Sequence, residues 1–164
     1  MTKKIKLLIV DDEVRFLNTL TQRLGLRDFD VTAVSDGQAA IEEADKREFD
    51  LALVDLKMPG MSGERVLETL KKKWPLLEVI IFTGHGSIDS AVECTKLGSS
   101  CYLQKPCETE ELLRVLQDAY TKRLQNKLQI DEKKMQEILN VAVGDSAMGI
   151  LRKLRALDDE KEKS

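Results

Sequence analysis

Nothing in the sequence approaches the ~20 consecutive apolar residues that a membrane-spanning helix needs. The first apolar run, Ile5 to Val10, is too short for a signal-peptide core, and Asp11, Asp12 and Glu13 follow it at once, so no targeting segment is expected there. Basic charge is not in excess. Lys and Arg number 26 against 29 Asp and Glu, and the net charge is −3. A nucleic-acid binder relies on a basic face that displaces counterions, so direct nucleic-acid binding is not expected. Cysteine is sparse: Cys94, Cys101 and Cys107 form no CxxC pair and no metal-ligand spacing. An odd thiol count suits a reducing compartment, and a cytoplasmic location is expected.

What is present is a regular alternation of short apolar runs and helix-period segments. Runs at Ile5–Val10, Phe29–Val34, Asp50–Val54, Glu78–Phe82 and Ser100–Gln104 read as strands. Between them, helices are predicted over Glu13–Leu26, from Gly37, over Gly63–Trp74 and over Ser87–Leu97, where Gly98 is placed to close the helix in a left-handed conformation. A further helix starts near Glu108. Strands joined by helical crossovers pair in parallel with helices on both faces, so the fold class is α/β with a doubly wound five-stranded parallel sheet. Periodicity alone leaves the strand order open.

The unusual polar residues fall at strand ends. Asp11 and Asp12 follow the first strand, Asp55 the third, Thr83 the fourth and Lys105 the fifth. In a parallel sheet these ends share one edge, where open α/β sheets bind ligands. A single Asp after a strand is ordinarily a turn or cap residue. Four strand ends supplying three carboxylates, a hydroxyl and an ammonium are hard to reach by coincidence. Crowded carboxylates raise one another's pKa unless a cation sits among them, and an all-oxygen site suits Mg²⁺ rather than Zn²⁺. A carboxylate is also a competent nucleophile for phosphoryl transfer, which asks mainly for in-line placement and cationic charge around the phosphoryl oxygens.

The acid pair after the first strand, Val54-Asp55-Leu56-Lys57-Met58-Pro59-Gly60, Thr83-Gly84 and Lys105-Pro106 together resemble the receiver domain of two-component response regulators, over residues 3 to about 121. Thr83-Gly84-His85-Gly86-Ser87 is similar to receivers of the nitrogen-regulator type. The resemblance implies the flavodoxin-like strand order 2-1-3-4-5. It implies phosphorylation of Asp55 by a sensor histidine kinase, assisted by Thr83 and Lys105. It also implies a Mg²⁺ held directly by Asp12, mainly through water by Asp11, and by Asp55 and the Lys57 backbone carbonyl. A cis peptide before Pro106 is implied, as are a switch formed by Thr83 and Tyr102 and tuning of phosphoryl lifetime by Lys57 and His85. The face around the fourth helix, fifth strand and fifth helix would then control an unknown downstream protein. For Tyr102 the plain alternative is a rim residue of the fifth strand; for His85, a solvated loop residue.

Three other readings compete. A metal-dependent phosphatase of the haloacid-dehalogenase type also uses an aspartyl nucleophile, but wants an acid where Lys57 stands. A flavodoxin-like cofactor binder wants a phosphate loop where Asp11-Asp12-Glu13 would repel phosphate. A degenerate receiver would act only as a docking module. Beyond the receiver, at 1–121, residues 122–164 contain no recognisable output domain and read as a helical extension. Leu113, Leu116, Tyr120, Leu124 and Leu128 form one stripe. Ile130-Asp131 reads as a staple and N-cap opening a second helix through Met135, Ile138, Leu139 and Ala142. Gly144-Asp145 reads as a break, with Ile150, Leu151 and Leu154 beyond it. Such stripes are expected to dock on the receiver, on a partner, or on a second copy to give a homodimer.

Overall fold

The computed structural model describes residues 3–142 and 147–163. The elements are β1 (Ile5–Val10), α1 (Val14–Gly25), β2 (Phe29–Val34), α2 (Gly37–Lys46), β3 (Leu51–Val54), α3 (Gly63–Lys73), β4 (Glu78–Thr83), α4 (Ile88–Lys96), β5 (Cys101–Gln104), α5 (Thr109–Ala142) and α6 (Ala147–Lys163). The strands form one sheet in the order β2-β1-β3-β4-β5, with every neighbouring pair parallel. This is the doubly wound, flavodoxin-like fold expected from the sequence.

The core is split by the sheet because successive strand side chains point to opposite faces. Leu8, Val10, Ala52, Val54, Val79 and Ile81 meet α2, α3 and α4 through Ala40, Ala44, Val66, Leu67, Leu70 and Cys94. Leu7, Ile9, Leu51, Leu53, Ile80 and Phe82 meet α1 and α5 through Leu17, Leu20, Leu24, Leu112 and Leu116. Burial on both faces explains why these strands read as unbroken apolar runs. Helix starts are marked chemically. Asp36 accepts the Ala39 amide at 2.8 Å, Ser62 caps α3, and Ser87 with Ser90 forms a capping box at α4. Gly98 closes α4 with a φ of 101°.

Register sets the functional edge. Val10 pairs with Val54, Val54 with Ile81, and Thr83 with Gln104. Asp11, Asp55 and Lys105 are each the next residue after a paired strand end, so they emerge side by side.

The chain divides into two compact units, Met1–Arg123 and Leu124–Ser164. In the first unit, the buried stripe of α5 runs through Leu112, Leu116, Ala119 and Arg123, while Leu113 and Tyr120 are half-buried. Arg123, beyond the boundary read from the sequence, donates to Asp50 at 3.0 Å and to Glu48 at 2.9 Å. Near it, Glu78 is buried in β4 beside the Ser100 hydroxyl and 3.8 Å from Lys122 Nζ.

One expectation is corrected. Ile130-Asp131 opens no second helix, because α5 is continuous from Thr109 to Ala142. This span has no Gly or Pro, and an interior Asp costs a helix under ~0.7 kcal/mol relative to Ala, too little to break it. In the second unit α6 is helical to Lys163, and Lys134 pairs with Glu160 at 2.9 Å. The expected break at Gly144-Asp145 lies outside the described residues.

Candidate functional site

At the carboxyl edge of the sheet, oxygens of Asp11, Asp12 and Asp55 lie within 4.8 Å of one another. Asp11 and Asp55 are buried, and Asp12 is the most open of the three. Each buried carboxylate is fixed by backbone. Asp11 accepts the Glu13 amide at 2.9 Å, and Asp55 accepts the Leu56 amide at 2.9 Å. Behind Asp55, α3 begins at Gly63, whose amide donates to the Leu56 carbonyl at 2.8 Å. A Cβ at Gly63 would stand 2.1 Å from the Asp55 carbonyl oxygen, so only glycine lets α3 approach the strand end this closely.

Lys105 reaches back across the site. Its ammonium bonds to Asp11 and lies 3.9 Å from Asp55. It also sits 4.1 Å above the Phe16 ring and 5.7 Å from that of Phe82, a cation–π seat that supports the charge in a nearly closed position. The Lys105–Pro106 peptide is cis. Thr83, fully buried, accepts the His85 amide at 3.1 Å, and its hydroxyl stands near Asp55, where it favours the charged carboxylate.

Burial pushes the Asp55 carboxyl above its ordinary range. Lys105 and the Thr83 hydroxyl oppose this, while the neighbouring Asp11 charge adds to it. With all three acids ionised, three carboxylates and one ammonium leave two negative charges in a small, partly enclosed volume. A divalent cation matches that charge, and an all-oxygen donor set with open access favours a hard, partly hydrated ion such as Mg²⁺.

The remaining residues lie around this centre. The exposed side chains of Lys57 and His85 line one open pocket together with Leu56, Pro59 and Ser62. Tyr102 is half-buried, packed against the α2–α3–α4 side of the core, and its hydroxyl is 2.8 Å from that of Ser90. The sequence reading missed Phe16, Phe82, Gly63, Gly86 and Ser90 as neighbours of the site. Phe82 immediately precedes Thr83, which was a usable signal. Phe16 falls within the helix predicted over Glu13–Leu26, and nothing local marks a phenyl ring as a seat for an ammonium 89 residues away.

Comparison with known proteins agrees with this geometry. A family model described as the response regulator receiver domain matches residues 7–117. The regulatory protein LuxO of Vibrio cholerae is 41% identical over 106 residues, 65% of this chain and 23% of LuxO. The transcriptional regulatory protein FixJ of Bradyrhizobium diazoefficiens is 32% identical over 119 residues, 73% of this chain and 58% of FixJ. A CheY-like receiver domain protein from Methanospirillum hungatei superposes with a TM-score of 0.73 at 27% identity, covering 75% of this chain and 98% of that one. The chain therefore spans less than a quarter of LuxO and little over half of FixJ.

Proposed function

This chain belongs to the response regulator receiver family of two-component signalling, and from that premise we propose that Asp55 accepts a phosphoryl group from a sensor histidine kinase. The carrying observation is the convergence of Asp11, Asp12, Asp55, Thr83 and Lys105 at one sheet edge, with Asp55 buried beside an ammonium. In the transfer, the P–N bond of the kinase phosphohistidine breaks as a bond forms from an Asp55 oxygen to phosphorus. The Leu56 amide and the Thr83 hydroxyl orient the carboxylate. Lys105 then shifts its charge from Asp11 toward the phosphoryl oxygens. Asp12, Asp55 and the Lys57 backbone carbonyl would hold Mg²⁺, with Asp11 acting mainly through water. When bound, the ion supplies positive charge against the developing phosphoryl charge. Lys57 and His85, on the rim of the open pocket, would govern water access and so the phosphoryl lifetime.

Family membership supports a signalling role; self-catalysed transfer and loss of the phosphoryl group are the finer proposal. Phosphorylation would draw Thr83 toward the phosphoryl oxygens and let Tyr102 move, changing the face of α4, β5 and α5 that meets a downstream protein. Among the described residues no helix is long and apolar enough to cross a membrane, and we place the protein in the cytoplasm. Output through protein contact rather than direct nucleic-acid binding agrees with the acidic balance of the chain.

The test uses acetyl phosphate and Mg²⁺. One acid-stable, base-labile phosphoryl group is expected per chain, and none on Asp55→Asn. An undiminished label on that variant would remove Asp55 from the role.

A second proposal concerns the C-terminal extension. Leu124, Leu128, Met135 and Leu139 share one face of α5 and are 45–59% exposed. We propose that this face mediates a homodimer, since apolar stripes of this regularity are covered in most soluble proteins.

A further inference from the structure

We infer that Ser90 is a positioning residue for the Thr83–Tyr102 switch: its hydroxyl latches the Tyr102 ring while it also closes the cap of α4, so that ring position and helix cap are coupled through one oxygen. The inference rests on the phosphoacceptor reading of Asp55 and adds to it a residue that the strand-end motif does not contain.

The argument is a count of bonding capacity. A serine hydroxyl has one proton and two lone pairs, hence three hydrogen bonds at most. Ser90 Oγ has four polar neighbours. The Ser87 amide donates to it at 3.0 Å, and the Ser87 hydroxyl lies at 3.1 Å. The Ser87 carbonyl, which can only accept, is at 3.0 Å, and the Tyr102 hydroxyl is nearest at 2.8 Å. At least one of these contacts goes without a bond at any moment. The Ser87 amide and carbonyl take one lone pair and the proton, so Tyr102 and the Ser87 hydroxyl compete for the remaining lone pair, and releasing Tyr102 leaves it to the Ser87 hydroxyl at the start of α4. A movement of the ring is thereby linked to the first turn of α4, an element of the face proposed to signal.

The ring is hemmed in on one side. Gly86 lies against it, and a Cβ there would stand 2.5 Å from the Tyr102 hydroxyl oxygen. In the same arrangement Lys105 is bonded to Asp11, so its ammonium serves the protein rather than a phosphoryl oxygen. The Ser90–Tyr102 bond therefore belongs to the receptive side of the switch, and breaking it favours the phosphorylated side.

The test titrates the full chain with beryllofluoride in Mg²⁺, a phosphoryl mimic, followed by fluorine NMR. Tyr102→Phe and Ser90→Ala should each tighten the apparent affinity by about fivefold, the weight of one net hydrogen bond. The double variant should tighten it no further, and Ser90→Thr, which keeps the hydroxyl, should bind as wild type does. Ser87→Ala, which removes the hydroxyl that competes with Tyr102 for Ser90, should lower Tm and should not tighten the affinity, and a tightening equal to that of Ser90→Ala would overturn the latch. Wild-type affinity in both single variants, or effects that multiply in the double, would overturn the latch alone. Failure of every protein, wild type included, to bind beryllofluoride would instead overturn the phosphoacceptor reading and the latch with it.

Discussion

Asp55 is buried where a charge is costly, and this has a consequence that can be measured without any partner. Burial, the main cause, raises its pKa above the ordinary 3.8, so the folded protein holds that proton more tightly than the unfolded chain does. The stability deficit of the charged form therefore develops as pH rises from about 3.8 through the raised folded value and is complete above it. In EDTA at neutral pH, Asp55→Asn should be more stable than wild type, and the gap should close as pH falls toward 3.8. Urea denaturation across that range checks the sign; a wild type that is the more stable at neutral pH would contradict the dominance of burial. The acid pair makes a second residue-level prediction. Asp11 is already bonded to Lys105 and the Glu13 amide, whereas Asp12 is open. Asp12→Ala should weaken Mg²⁺ binding about tenfold or more, and Asp11→Ala by less. Calorimetry showing equal affinities in wild type and both variants would dismiss the carboxylate site.

Among the elements, α5 carries an anchor that its apolar pattern does not advertise. Arg123 continues the buried stripe of Leu112, Leu116 and Ala119 and is 6% exposed, with its guanidinium on Asp50 and Glu48. Asp50 in turn accepts the Lys6 amide at 2.9 Å, so the pair ties α5 to the amino-terminal side of β1 and β3. Removing one partner leaves the other's charge poorly compensated. Arg123→Ala should cost roughly 2–4 kcal/mol of unfolding free energy, discounted from a fully buried pair because Glu48 is half-exposed. A denaturation midpoint unchanged from wild type would show that the network contributes nothing. Surface pairs such as Lys72–Glu68 should be close to neutral by the same measurement.

For the whole molecule the open question is association. Burying several Leu and Met side chains at ~1.5–3 kcal/mol each can offset the ordering of a helical pair. The full chain is expected to sediment as a dimer at tens of micromolar. A version ending at Asn126, which retains the buried Arg123, is expected to sediment as a monomer. Leu128→Glu combined with Leu139→Glu should dissociate the full chain without changing its helical content. If the full chain is already monomeric at those concentrations, the exposed stripe serves a different partner.

The five strands, their helices and the strand-end positions of Asp11, Asp12, Asp55, Thr83 and Lys105 were legible in the sequence, because period and punctuation are local properties and parallel crossover rules carry those residues to one edge. The continuity of α5 was misread because Ile130-Asp131 has the composition of a cap, and composition does not compel a chain to leave helical geometry. Strand order followed from family resemblance and not from periodicity. The rest was decided by tertiary structure alone. Lys105 lies on Asp11, 94 residues away, with Phe16 beneath its ammonium. Arg123 is buried against Asp50, 73 residues away, and Tyr102 meets Ser90 across a turn of chain. Such pairings depend on which side chains the packed sheet and helices bring within a few ångströms, and no local pattern of polarity encodes that distance.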